Sequence, residues 1–228
     1  MEVLLLRYTP DPEFTVAMAA RLCYSNSSVR QLQVALPPEE VVRLVRMLYQ
    51  MGHLSPFEHV SFTFGISGVS RALSHQLVRH RIASYSQKSQ RWTSEQKFEY
   101  VVPPSVLRNA QAKELFERQM RSIHESYARL VELGIPKEDA RYVLPNACHT
   151  QLVATFNARS LLNFFKLRCC SRAQWEIRVL AYKMLKLVKQ VAPTLFENAG
   201  PPCVCEGVCR EGRLSCGRIE RLKKRNND

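Results

Sequence analysis

The stretch Val60-Ser-Phe-Thr-Phe-Gly-Ile66 limits what this chain can fold into: Val60, Phe62, Phe64 and Ile66 alternate with small residues. A period of two puts these apolar side chains on one face of a strand, and that face needs a second layer to cover it. The chain supplies amphipathic helices. Residues 38–51 (PEEVVRLVRMLYQM) carry Val41, Leu44, Val45 and Leu48 on one stripe and open with a proline and two glutamates, good chemistry for a helix N-terminus. Residues 110–133 read as a long charged helix stopped by Gly134-Ile135-Pro136. Two more helices cover 157–167 (Leu161, Leu162, Phe164, Phe165 apolar) and 173–191 (Ile177, Leu180, Met184, Val188 inside). Helical spacing also predicts a helix over 13–24 with Phe14, Met18 and Leu22 on one face, one over 69–80 with Val69, Leu73 and Leu77, and a short one over 137–143. Val3 to Arg7 reads as a short buried strand, with further strands near 98–102 and 152–156. Gly65 and Gly68 are expected to end the central strand, and 82–92 reads as a loop. The sum is an α+β chain with helices dominant in its second half.

With 228 residues and 46% hydrophobic content, the chain can bury a substantial core as one large domain or two small ones. There is no internal repeat. No apolar run approaches the length that crosses a bilayer, and the opening MEVLLLRYTPDPE is not expected to act as a signal peptide. A soluble, cytoplasmic protein is expected. The net charge of +13 calls for acidic partners: nucleic acid, a membrane surface or phosphorylated small molecules. The cations cluster at Arg71–Arg91, at Arg141–Arg178 and in the tail from Arg210 to Arg225. The tail reads as a solvated end. In the inner clusters arginines are interleaved with apolar side chains and are expected to face something anionic.

Eight cysteines are present. Cys23 and Cys148 are isolated and read as buried free thiols. Cys203, Cys205, Cys209 and Cys216 lie within fourteen positions, and zinc could take four such thiolates, with Cys169 or Cys170 replacing one. Their spacing departs from paired C-x2-C knuckles, so free thiols are the competing reading.

The segment Arg79 to Arg91 (RHRIASYSQKSQR) concentrates the chemistry. Three adjacent cationic or titratable residues are costly to pack unless they meet anions, and a guanidinium fork fits phosphate. Ser84, Ser86, Gln87, Ser89 and Gln90 add hydroxyls and amides. A basic surface loop after a helix would look the same, its cations complementing the helix dipole, and composition does not choose between the two.

The spacing adds information. Arg79-His80-Arg81, seven residues, then Ser89 and Arg91 resembles the signature of the flavin-dependent thymidylate synthases. Further segments fall in that family's order over roughly residues 1–200: His53 to His59, Arg141 before Val-Leu-Pro, Asn157-Ala-Arg-Ser-Leu-Leu-Asn163, and Leu167-Arg168 followed by Ala173-Gln-Trp-Glu-Ile177. The resemblance implies a mixed or antiparallel sheet core flanked by long helices over 1–200, with 201–228 as a cysteine-rich basic tail. It implies reductive methylation of dUMP to dTMP, with methylenetetrahydrofolate as carbon donor and NADPH-reduced FAD as hydride donor, in a homotetramer with active sites shared between subunits. It places FAD against His53, Ser55, Arg79, His80, Arg81, Gln87, Asn157, Ala158, Arg159 and Asn163. It places dUMP against Gln76, Leu77, Val78, Arg79, Gln87, Lys88, Ser89, Gln90, Arg91, Arg141 and Arg168. Arg168 lies against the uracil as the catalytic group, stabilising negative charge on the ring. Ser89 has no histidine–carboxylate pair beside it in sequence and is read as a nucleotide holder, not a nucleophile. His53 and His80 are expected to touch the flavin without shuttling protons. Ser86 and Gln87 stand where one branch has asparagine and glutamate, and Arg172 where a histidine can occur.

Two other classes fit parts of the sequence. A nucleic-acid-binding module would use the basic balance and a zinc tail, but the cations form no single stripe. A regulatory protein that binds nucleotide without turnover would lack catalytic positions, and Arg168 is present. No nucleic-acid or membrane partner is expected.

Overall fold

The computed structural model describes residues 1–26, 28–34 and 36–225. Strand β1 (Glu2–Tyr8) leads into helices α1 (Pro12–Leu22), α2 (Val29–Val34) and α3 (Pro38–Met51). A 3-10 turn at Ser55–His59 and strand β2 (Ser61–Ser70) follow, then α4 (Arg71–Leu77) and β3 (Ala83–Gln87). Helices α5 (Pro104–Leu107), α6 (Ala110–Glu132) and α7 (Lys137–Ala140) precede β4 (His149–Asn157). The chain continues through α8 (Ala158–Arg168), α9 (Trp175–Val191), α10 (Pro202–Cys205) and α11 (Arg218–Arg225). The strands make one antiparallel sheet in the order β1-β2-β4-β3, so the fold is α+β as expected. Among the described residues no helix is long and apolar enough to cross a membrane.

The alternation in β2 is used as the sequence suggests: Phe62, Phe64 and Ile66 are buried. The strand does not stop at Gly65 or Gly68. It runs to Ser70, and Gly68, at φ 63°, shifts the buried phase from even positions to Val69. In β4, Thr150, Leu152, Ala154 and Phe156 alternate inward.

The residues form two compact units. The first comprises 1–2, 66–79 and 85–153. It contains α4, α6 and a cluster of Phe98, Met120 and Cys148, with Tyr100, Phe116 and Ile123 packed on it. The second comprises 3–65, 80–84 and 154–228. Its core is a chain of edge-on and tilted rings in which Phe62 meets Phe196 at 5.4 Å, Phe196 meets Phe165 at 5.9 Å and Phe165 meets Phe164 at 5.7 Å.

Several elements depart from the sequence reading. β1 is an edge strand, not a buried one, and Leu4, Leu6 and Tyr8 are exposed, because an edge has only one neighbour to cover it. α1 turns Pro12, Val16, Ala17 and Ala20 inward instead of Phe14, Met18 and Leu22; small side chains allow close approach, and the Glu13 carboxylate fixes the helix by accepting from the Leu195 N–H (3.3 Å) and the Thr194 hydroxyl (3.0 Å). Cys23 is exposed. Residues 83–87 form a strand, not a loop; ASYSQ is polar enough to hide its period of two, but an edge position tolerates polarity on the open side. Near 98–102 only an isolated Tyr100–Cys148 bridge is seen, since Pro103-Pro104 cannot continue a ladder. The helix expected over 69–80 shrinks to 71–77, with the Ser70 hydroxyl capping it by accepting the Leu73 N–H at 3.0 Å. The helix expected over 137–143 splits into α7 and a 3-10 turn, Arg141–Val143. The tail's last segment, α11, is helical, with Ile219 buried.

Candidate active site

In the second unit, α8 starts where the Asn157 side chain accepts the Ser160 N–H at 2.8 Å, and it ends at Arg168. Arg168 donates through Nε to His80 Nε2 at 2.8 Å. A ring nitrogen that accepts carries no proton, so His80 is the Nδ1–H tautomer. The ring also sits edge-on to Phe164 at 4.9 Å. Burial first, and the Arg168 charge second, push the His80 pKa from 6.5 down to about 4. Burial also lowers the Arg168 pKa. The unit therefore contains a partly buried guanidinium aimed by a neutral imidazole. Arg81, next in the motif, is exposed.

Four flavin candidates line two adjoining cavities of this unit. One, of about 640 Å³, is bordered by Arg159 and Asn163 on α8 with Tyr49, Gly52, Leu54 and residues near 198–206. The other, of about 400 Å³, is bordered by His53, Ser55, Cys23, Tyr24 and Leu48. Gly52, Leu54 and Arg159 belong to both. Asn157 caps α8, and Ala158 is buried.

The nucleotide candidates other than Arg168 lie in the first unit. Gln76 and Leu77 end α4, Val78 and Arg79 follow it, and the Tyr85 hydroxyl donates to the Leu77 carbonyl at 2.9 Å. Gln87 donates both amide hydrogens, to Ser74 Oγ at 2.8 Å and Thr150 Oγ1 at 3.0 Å. Lys88 pairs with the buried Glu95 at 2.9 Å, and Gln90 turns inward to Cys148 Sγ at 3.5 Å. Ser89 Oγ accepts the Arg91 N–H at 3.1 Å, a turn-forming role with no general base in it. Glu138 gathers two of the arginines: its carboxylate pairs with Arg91, and its carbonyl accepts from Arg141 Nε at 3.0 Å. Sequence reasoning missed Arg71, half-buried at the start of α4, whose guanidinium is lowered by burial and has Arg141 as a like-charged neighbour. Its membership of the 71–91 cation cluster was the available signal.

The zinc candidates Cys203, Cys205, Cys209 and Cys216 are free thiols. Among the described residues no group of three or more His, Cys, Asp or Glu side chains is placed to hold a metal ion. Burial raises the Cys203 and Cys205 thiols, whereas hydrogen bonding with Ser171 lowers that of the exposed Cys216.

Comparison with known proteins bears on the whole chain. Residues 4–194 match the family model described as thymidylate synthase complementing protein. The chain is 51% identical over 226 residues to a flavin-dependent thymidylate synthase of Geobacter sulfurreducens, covering 98% of this chain and 97% of the relative. It is 48% identical to that of Clostridium tetani (98% and 96% covered) and 39% identical to that of Pyrococcus horikoshii (99% and 96%). With the family model matched over most of the chain and this similarity over nearly its whole length, the chain belongs to the thymidylate synthase complementing protein family.

Proposed function

We propose that the protein reductively methylates dUMP to dTMP, taking the carbon from methylenetetrahydrofolate and the hydride from FAD that NADPH reduces. The observation that carries this reading is the Arg168–His80 pair. A fixed positive charge against the pyrimidine stabilises the anion formed as N3–H ionises, and that raises the nucleophilicity of the carbon to be methylated. His80, neutral above about pH 4, orients the guanidinium without adding a second charge. FAD, when bound, supplies the hydride that completes the methyl group.

The residues present fit this cofactor. His53, Ser55, Arg159 and Asn163 bring hydrogen-bonding groups and a cation to cavities of the size typical of small-molecule sites. Arg79, His80, Arg81, Gln87, Asn157 and Ala158 complete the proposed flavin contacts. Gln76, Leu77, Val78, Arg79, Gln87, Lys88, Ser89, Gln90, Arg91 and Arg141 are proposed to hold dUMP, with Arg168 against the base. Half-burial of Arg71 beside Arg141 favours an anion in that region. Residues 1–200 are taken as the catalytic domain and 201–228 as its cysteine-rich extension. The protein is proposed to be a cytoplasmic homotetramer with shared active sites; large exposed side chains such as Tyr24 (85%), Tyr142 (84%) and Trp92 (74%) offer surface that a partner could cover.

The test is the formation of dTMP from dUMP when FAD, NADPH and methylenetetrahydrofolate are all supplied. Visible flavin absorption in the purified protein supports the reading. No product with all four compounds present would refute it.

A further inference from the structure

Helix α8 carries Arg159, Asn163 and Lys166 at spacings of four and three residues, which places them on one face. All three line the cavity of about 640 Å³. The first two are flavin candidates from the sequence; the third is not, and it lies about 10 Å along the helix axis from Arg159. The opposite border comes from Asn198, Ala199, Gly200, Cys205 and Glu206, beyond the stretch matched by the family model. That border is anchored: the Tyr49 hydroxyl donates to the Asn198 carbonyl at 3.1 Å, and Arg46 pairs with Glu197 at 2.8 Å.

We propose that Lys166 is a further cofactor-binding residue that takes the phosphates of the dinucleotide, and that Glu206 competes with the ligand for it. The inference rests on the flavin reading above. Lys166 Nζ now sits 2.6 Å from Glu206 Oε1, and Glu206 Oε2 is 2.8 Å from Arg210 Nη2. Arg159 is likewise paired, with Glu58 at 2.6 Å. Both cavity cations thus rest on carboxylates, which is the position a phosphate would take over. When Lys166 turns to a phosphate, Glu206 keeps Arg210, so the exchange leaves no charge unpaired. These groups are partly exposed, so the rearrangement moves no core side chain.

The experiment is a titration of the full-length protein with FAD at low salt, read as quenching of flavin fluorescence. The proteins compared are wild type, Lys166→Ala, Lys166→Gln, Lys166→Arg, Glu206→Gln and Arg159→Ala. Lys166→Ala and Lys166→Gln are expected to weaken FAD binding about tenfold, the scale of one lost charge-assisted contact, while Lys166→Arg stays within about threefold of wild type. Glu206→Gln is expected to tighten binding about threefold by removing the competitor. Wild-type affinity in both Lys166→Ala and Lys166→Gln, alongside a loss in Arg159→Ala, would overturn the role of Lys166 and leave the flavin reading standing. Weaker binding in Glu206→Gln would overturn the competition. A wild-type protein that binds no FAD would overturn both readings.

Discussion

Replacing His80 with glutamine tests the link between the buried imidazole and the acid limit of the fold. Folding moves the His80 pKa from 6.5 to about 4, so the unfolded chain binds a proton more readily than the native one. Stability from this group is complete above the unfolded value and drains away as pH falls from about 6.5 towards 4. Integrating between those values gives a loss of about 2 kcal/mol at pH 5 relative to pH 7.5, rising to roughly 3 kcal/mol at pH 4. His80 is only 8% exposed, so solvent screening removes little of it. Glutamine keeps an acceptor for Arg168 Nε but does not titrate. Urea unfolding at pH 7.5 and pH 5, at one protein concentration, measures both proteins. The wild type is expected to lose about 2 kcal/mol more than His80→Gln over that interval. Equal losses would show that His80 is not held neutral by burial and the Arg168 charge, and the account of Arg168 as a guanidinium aimed by a neutral acceptor would fall with it.

Arg168→Ala is expected to lower turnover by about 10²–10³-fold while flavin absorption stays, because the lost charge acts on the ring and not on the cofactor; unchanged turnover would displace the uracil from Arg168. Asn157→Ala removes the cap of α8 and should cost about 1 kcal/mol in denaturant stability, with Asn157→Asp recovering most of it. Lys88→Met leaves the carboxylate of Glu95, 4% exposed, without its cation and should cost roughly 2–3 kcal/mol, less than a fully buried pair because Lys88 still reaches water. Adding Glu95→Gln to that variant should restore part of the loss, and no recovery would mean the pair is not the cause.

The two periodicities made much of the fold legible. Alternation at 60–66 and the stripes of α3, α8 and α9 name residues that are in fact buried, because each element has one unambiguous apolar face. α1 failed that test: it offers two candidate faces, and only the hydrogen bonds of Glu13 to residues 194–195 and the need for small side chains at the contact choose between them. β3 was missed because an edge strand need not be apolar. Some site geometry was equally out of reach. Gln87, Lys88 and Gln90 are close neighbours in the sequence, and only the fold shows that their side chains bond to Ser74 and Thr150, to Glu95 and to Cys148.

The sequence alone determined which side chains are at hand: the Arg79-His80-Arg81 motif with Ser89 at its fixed distance, Arg168 at a helix end, and the central strand that needs a helical cover. Those features are local, set by residue type and by spacing of a few positions. What state the groups are in was decided by tertiary structure. His80 and Arg168 are 88 positions apart, and only folding brings them to 2.8 Å, buries the imidazole and partly buries the guanidinium. Desolvation is a property of everything packed around a group, so no spacing rule could show that this histidine is neutral or that its neighbour is the charge it aims.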